Sequence, residues 1–222
     1  MIGTMRADDL LIDGPGDARM TIILAHGAGA PMDSPYMNRV AQLLAQGRLR
    51  VVRFEFPYMQ ARREGRRRPP DRQPLLLDRW RDVASRFPPP STIIGGKSMG
   101  GRMASMIADE VRPLGLVCLG YPFHAVGRSD ALRVEHLEHL EHLRTPALIV
   151  QGTRDPFGAP AEVEGYRLSP TITIHWIPQA DHDLKVPKKS GRTQDGNLGD
   201  AVAASLRFIA SLASPVTPRE TS

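Results

Sequence analysis

The residues best suited to chemistry gather around one serine. Ile93-Ile94 runs into Gly95-Gly96-Lys97-Ser98-Met99-Gly100-Gly101, and a helix-like sequence follows. The Gly96-x-Ser98-x-Gly100 spacing is that of a nucleophile elbow, in which a strand turns sharply into a helix and lifts a serine hydroxyl above the sheet. Glycines suit the flanks because the serine backbone is strained and its neighbours must let strand and helix approach. The chemistry would be attack on an acyl carbon. A serine hydroxyl is a weak nucleophile at neutral pH. It needs a base for its proton, a carboxylate to orient that base, and donors aimed at the developing oxyanion.

The chain has seven histidines: His26, His124, His136, His139, His142, His175 and His182. Only His182 falls in a loop just after the last predicted strand, where a base above the sheet belongs. His175 lies within that strand and reads as structural. Asp155 follows the preceding strand, after Val150-Gln151-Gly152-Thr153-Arg154. It is the preferred orienting acid over Asp181 and Asp183, because residues adjacent to the histidine are poorly placed to face its ring. The predicted set is therefore Ser98, Asp155 and His182, in that order. The predicted oxyanion donors are the backbone N–H groups of Met99 and of Ala28, the latter in the His26-Gly27-Ala28-Gly29 loop. Met99 also opens a helix, whose positive end favours an anion. His26 reads as a holder of its loop.

Elements that would position these residues follow from periodicity and punctuation. Leu10-Leu11-Ile12 and Met20 to Ala25 predict a hairpin-like strand pair across Asp13-Gly14-Pro15-Gly16-Asp17. Asp33 or Ser34 caps a helix closed by Gly47. A strand is predicted over Arg50 to Phe54, an exposed arginine-rich loop over Tyr58 to Arg72, and a helix over Pro74 to Phe87. Ser91 to Gly95 is the strand that delivers the elbow, and a helix runs from Met99 to Pro113. Strands follow at Leu114–Leu119, Pro146–Gln151 and Thr171–Ile177, with a helix-bearing excursion over 123–145 and a short helix over Ala159 to Leu168. Leu184 to Gly199 reads as loop, Ala201 to Leu212 as a terminal helix, and 214–222 as a disordered tail. Alternating strands and helices predict a mainly parallel sheet covered on both faces, with ligands at the carboxyl ends of the strands.

The bulk properties bound the alternatives. With 222 residues, one well-buried domain over 1–213 is expected. The formal net charge of +5 reads as a basic surface, and without aromatic–basic interleaving no nucleic-acid partner is expected. The single cysteine, Cys118, favours a reducing, cytoplasmic setting, and no segment predicts membrane insertion. A phosphate-binding loop would need a glycine where Ser91 stands. His136, His139 and His142 drift around their helix at three-residue spacing, so no metal site is expected and Leu137, Leu140 and Leu143 form the buried side.

Four blocks together resemble the small α/β-hydrolases, across roughly 8–213. They are Leu24 to Pro35 (with His26-Gly27-Ala28-Gly29), Gly95 to Arg102, Gln151 to Gly158 and Asp181 to Lys185. They are similar in particular to compact bacterial hydrolases of the dienelactone-hydrolase kind, to animal testis-expressed proteins and to subunit 3 of the non-specific lethal chromatin complex. The resemblance implies the α/β-hydrolase fold with an eight-strand-like sheet, the Ser98–Asp155–His182 triad and esterase-type activity. True dienelactone hydrolases use cysteine where Ser98 stands, so that specific activity is not implied. The short N-terminal part predicts that the first strand of the usual sheet is absent.

The expected function is serine hydrolysis of a small carboxylic ester or related acyl compound through an acyl-enzyme, without metal or organic cofactor. A thioesterase or peptidase would use the same groups. A non-catalytic adaptor on this fold is the alternative of another class, and an intact triad argues against it. The short excursion leaves minimal or no cap, so a shallow, open site is expected, with Tyr121, Phe123, His124 and Phe157 as candidate pocket walls. Lys97 is expected to point sideways to solvent, with contact to an acidic substrate group as the alternative. Composition and spacing leave the oligomeric state open.

Overall fold

The structure is a computed structural model that describes residues 5–7, 9–66, 68–124 and 133–213. Eight strands form one sheet: β1 (Met5–Ala7), β2 (Leu10–Asp13), β3 (Thr21–Ala25), β4 (Arg50–Phe54), β5 (Thr92–Lys97), β6 (Gly115–Leu119), β7 (Ala147–Gly152) and β8 (Ile172–Ile177). Their spatial order is β1-β2-β4-β3-β5-β6-β7-β8. From β4 to β8 all neighbours are parallel, whereas β2 is antiparallel to both β1 and β4. Every residue of β3, β5, β6 and β7 is buried, as strands covered on both faces must be.

Helices α1 (Pro35–Gln46) and α7 (Gln194–Ala213) cover one face, packing Met37, Val40, Leu44, Ala201 and Val202 on Ile22, Leu24 and Val150. The other face carries α2 (Pro57–Arg63), α3 (Gln73–Ala84), α4 (Met99–Val111), α5 (Arg133–Glu141) and the single-turn α6 (Pro160–Val163). There Tyr58, Trp80, Met103, Leu140 and Val163 pack with Ile23, Ile94 and Ile149. Ser34 caps α1 by accepting the Met37 N–H at 3.4 Å, with Pro35 in the first turn and Gly47 at the end.

Several sequence-based expectations are corrected. β2 and β3 are not a hairpin: β4 lies between them, and β2 pairs with β1 and β4. β1 is present, although only three residues long. The arginine-rich stretch is not all loop. Its first part is α2, with Pro57 in the first turn and Tyr58, Met59 and Ala61 buried. Averaging charge over the stretch hid this short amphipathic turn. Of its arginines, Arg63 bonds Glu55 and Asp33 outside the stretch, whereas Arg62 donates to the Arg68 carbonyl and Arg68 pairs with Asp71 within it. α7 begins at Gln194, inside the predicted loop, because the Thr193 hydroxyl accepts the Gly196 N–H at 3.0 Å. Gly196 and Gly199 masked that start. The predicted helix over 159–168 is helical only at α6. The expected tail, 214–222, lies outside the described residues.

Candidate active site

β5 runs mid-sheet between β3 and β6 and α4 starts directly after Ser98. Ser98 itself has φ 51° and ψ −121°, a strained conformation for a residue with a side chain. Its N–H donates to the Leu119 carbonyl at 3.0 Å. Glycine is required on both sides. A Cβ on Gly96 would lie 2.3 Å from the Ala25 carbonyl oxygen, and one on Gly100 would lie 2.4 Å from the same atom. The buried Trp80 indole N–H donates to the Gly100 carbonyl at 3.2 Å and ties α3 to the turn.

His182 stands in the loop after β8, with Nε2 2.9 Å from Ser98 Oγ and Nδ1 2.8 Å from Asp155 Oδ2. An ionised carboxylate only accepts, so Nδ1 carries the proton and Nε2 accepts from the serine hydroxyl. Asp155 is 1% exposed. Its Oδ1 accepts the Phe157 N–H at 2.9 Å, and its Oδ2 also accepts from Gln151 Nε2 at 3.0 Å. Gln151 lies in β7, wholly buried, and its Oε1 accepts the Tyr121 N–H at 2.7 Å. It locks the carboxylate in place. Sequence reasoning quoted Gln151 without giving it a role; its signal was a polar side chain at the end of an otherwise apolar strand.

The rival acids have other work. Asp181 Oδ1 accepts the N–H groups of Asp183 and Lys185, each at 2.9 Å, and so builds the turn that presents His182. Asp183 faces Lys97 and Lys185, each 3.4 Å away. Burial works against charge on Asp183, but the two lysines outweigh it and hold its carboxyl below the usual range.

His26 holds its loop as expected. Its Nδ1 donates to the Gly27 carbonyl at 2.7 Å and its Nε2 accepts the Phe56 N–H at 3.2 Å. Burial pushes its pKa down, so the ring stays neutral. The Tyr58 hydroxyl donates to the Ala28 carbonyl at 2.9 Å. A Cβ on Gly27 would lie 3.6 Å from the Ser98 Cβ, which sets this loop directly beside the serine. Met99, first in α4, has an N–H with no intrahelical acceptor.

Ser98 and His182 open into a cleft of about 760 Å³, walled by Gly27 to Ala30, Tyr36, Met37, Phe157 and Leu198. Phe157 packs on the His182 ring at 4.4 Å between centroids. Of the other predicted walls, Tyr121 and Phe123 are wholly buried in the core, since both are packed under the sheet's helical layer. His124 sits apart from the cleft, 3.1 Å from Glu162. Lys97 does not point to solvent. As the last residue of β5 it alternates inward and is 7% exposed, with its ammonium 5.6 Å from the centre of the Tyr36 ring. Burial pushes its pKa down and Asp183 partly restores it. Sequence reasoning also missed Tyr36 and Asp183 as cleft residues. None of the described residues of the arginine-rich stretch lines the cleft.

The fold and the four blocks define the class, and a family model agrees: residues 18–210 match the alpha/beta hydrolase domain, so the chain belongs to that family. Solved structures share the architecture. A dienelactone hydrolase from Anabaena variabilis is 20% identical, with a TM-score of 0.67 over 95% of this chain and 96% of that one. An alpha-beta serine hydrolase homologue from Coxiella burnetii is 18% identical, with a TM-score of 0.66 over 93% and 96%. The esterase domain of a Rhodothermus marinus protein is 16% identical, with a TM-score of 0.63 over 94% and 100%. The protein is thus a hydrolase of the α/β class. Among the described residues no helix is long and apolar enough to cross a membrane.

Proposed function

We propose that this hydrolase is a serine esterase that cleaves a small carboxylic ester or related acyl compound. The observation that carries the reading is the continuous bonding from Asp155 through His182 to Ser98, at 2.8 and 2.9 Å. Ser98 Oγ attacks the carbonyl carbon while His182 Nε2 takes its proton. The negative charge that forms on the carbonyl oxygen is met by the N–H groups of Met99 and Ala28. The tetrahedral intermediate collapses, the carbon–oxygen bond to the alcohol breaks, and His182 returns the proton to the leaving oxygen. A water deprotonated by His182 then attacks the acyl-serine, releasing the acid and restoring the hydroxyl. Asp155 stays ionised throughout and holds the imidazole in the productive tautomer. No metal or organic cofactor enters this route.

The cleft volume lies in the range of small-molecule sites. An adaptor would have no use for a strained serine, a buried acid and a histidine bonded to both. We place the activity in the cytoplasm, where the lone buried thiol of Cys118 stays reduced. A fluorophosphonate probe tests the reading. The adduct maps by mass spectrometry to Ser98 and disappears in Ser98→Ala. Folded wild-type protein without an adduct on Ser98 overturns it.

A further inference from the structure

Gln151 is a wholly buried amide near the end of an otherwise apolar strand, where an unbonded polar group would be costly. The register of β6 with β7 stops at Leu119 opposite Val150, and Gly120, with φ 64°, turns the chain away. The Gln151 side chain takes over where the backbone ladder ends. Its Oε1 accepts the Tyr121 N–H at 2.7 Å, and its Nε2 donates to the Tyr121 carbonyl at 3.1 Å. The same nitrogen reaches Asp155 Oδ2 at 3.0 Å and the Gly158 carbonyl at 3.3 Å, so its two protons meet three acceptors. Ser98 and His182 both lean on the turn that this amide braces. The Leu119 carbonyl accepts the Ser98 N–H at 3.0 Å. A Cβ on Gly120 would lie 2.8 Å from the His182 carbonyl oxygen and 3.3 Å from its ring Cε1.

Building on the serine-esterase reading, we propose that Gln151 is a positioning residue for the reaction: its neutral amide sets Asp155 and the Gly120-Tyr121 turn at one fixed spacing, and His182 is held between them. The amide acts on the imidazole from two sides. On one side it donates to Asp155 Oδ2, the oxygen that faces His182 Nδ1, while the Phe157 N–H holds Oδ1. The carboxylate then has one rotation open to it. On the other side it keeps the Gly120 backbone against the ring. Small displacements of a base cost rate steeply, so the amide contributes to turnover without touching substrate. A filler of the same shape would brace nothing, because every bond described here runs through the amide oxygen or nitrogen.

Two variants of the full chain test this with para-nitrophenyl butyrate. Gln151→Met keeps the length of the side chain and loses the amide. Its kcat falls by about tenfold or more while KM stays within about threefold, as expected for losing a hydrogen bond to a charged group. A smaller loss of kcat in folded Gln151→Met overturns the proposal. Gln151→Glu keeps a hydrogen-bonding end and decides where the apolar variant does not fold. A protonated carboxyl at this position still donates to Asp155, whereas an ionised one sets two carboxylates face to face. The charged groups facing it are Asp155 and, behind that, His182 and Lys97. The ratio of variant to wild-type kcat therefore falls by about tenfold or more between pH 5.5 and pH 8.5, and the division removes any titration the two proteins share. A flat ratio overturns the proposal. Proton magnetic resonance decides even where no ester is cleaved. The His182 Nδ1–H signal, identified by its loss in His182→Gln, shifts in Gln151→Met, and an unmoved signal in the folded variant overturns the proposal. Folded wild type without an adduct on Ser98, by contrast, sinks the esterase reading alone.

Discussion

Among the described residues two serine–histidine pairs stand at α4, and they differ in nearly everything except distance. Ser98 Oγ lies 2.9 Å from His182 Nε2, and Ser105 Oγ lies 2.8 Å from His139 Nε2. Ser105 sits within α4 at 2% exposure, and its hydroxyl proton goes to the Arg102 carbonyl at 2.7 Å. With that proton committed, His139 must donate to Ser105, so the bond runs opposite to the one at Ser98. Ser105 is also 3.3 Å from the buried Tyr121 hydroxyl, and the three groups fasten α5 to the core. Ser98 instead stands at the mouth of a cleft, at the start of a helix, with its partner histidine backed by a buried carboxylate. Proximity of serine to histidine is thus common to a fastening and a candidate nucleophile. Access, proton direction and the acid behind the ring separate them.

The largest effect expected is at Ser98. Ser98→Ala should lower ester hydrolysis by about 10⁴-fold or more, whereas Ser105→Ala should leave the rate within about threefold. Comparable losses in folded Ser105→Ala protein would erase the distinction. Asp155→Asn should lower kcat by about 10³–10⁴-fold, because Nδ1 would no longer be held in the required tautomer. Steady-state kinetics with any cleaved ester reads this directly, and a loss below tenfold would remove Asp155 from its role. Ser105→Ala should instead cost stability, about 1–3 kcal/mol, by removing the buried hydroxyl that His139 and Tyr121 both contact. Urea unfolding measures that, and an unchanged midpoint would mean the fastening contributes nothing.

A third imidazole, the wholly buried His26, gives the smallest effect. Burial holds the His26 pKa below its ordinary value of 6.5. Above that pH the ring is neutral in both folded and unfolded chains, and its contribution is complete. As pH falls below 6.5 the unfolded chain takes up the proton first, so stability drops until the folded pKa is reached. Urea midpoints between pH 7 and pH 5 should therefore fall more steeply in wild type than in His26→Gln. Parallel slopes would show that His26 takes up its proton alike in folded and unfolded chains, and would remove the burial effect.

Much of the site was legible because it rests on local rules. The glycines around Ser98 are demanded by contacts at 2.3 and 2.4 Å to one carbonyl, and that demand shows as a spacing. Asp155 and His182 could be chosen because each follows a recognisable strand. Choosing Asp155 over Asp183 rested on a steric generality; in the structure Asp155 lies 2.8 Å from His182 Nδ1 and Asp183 faces two lysines. The hidden parts depend on distant partners. α2 was lost in the arginine count because the acids that engage Arg63, Glu55 and Asp33, lie outside the stretch itself. Tyr121 and Phe123 are aromatic residues after a strand end, equally suited to a wall or a core, and only the packing of α4 to α6 over them decides it.

By itself the sequence determined an alternating α/β chain, a glycine-flanked turn at Ser98, and the order in which the candidate acid and base return to it. These follow from periodicity, turn chemistry and the short reach of backbone sterics. Tertiary structure alone decided that β4 intervenes between β2 and β3, that Gln151 anchors Asp155, and that Lys97 turns inward toward Tyr36 and Asp183. The physical reason is the same in each case. Strand order and the environment of a buried charge are set by which surfaces meet across the sheet, and no local stretch of sequence contains both partners of that meeting.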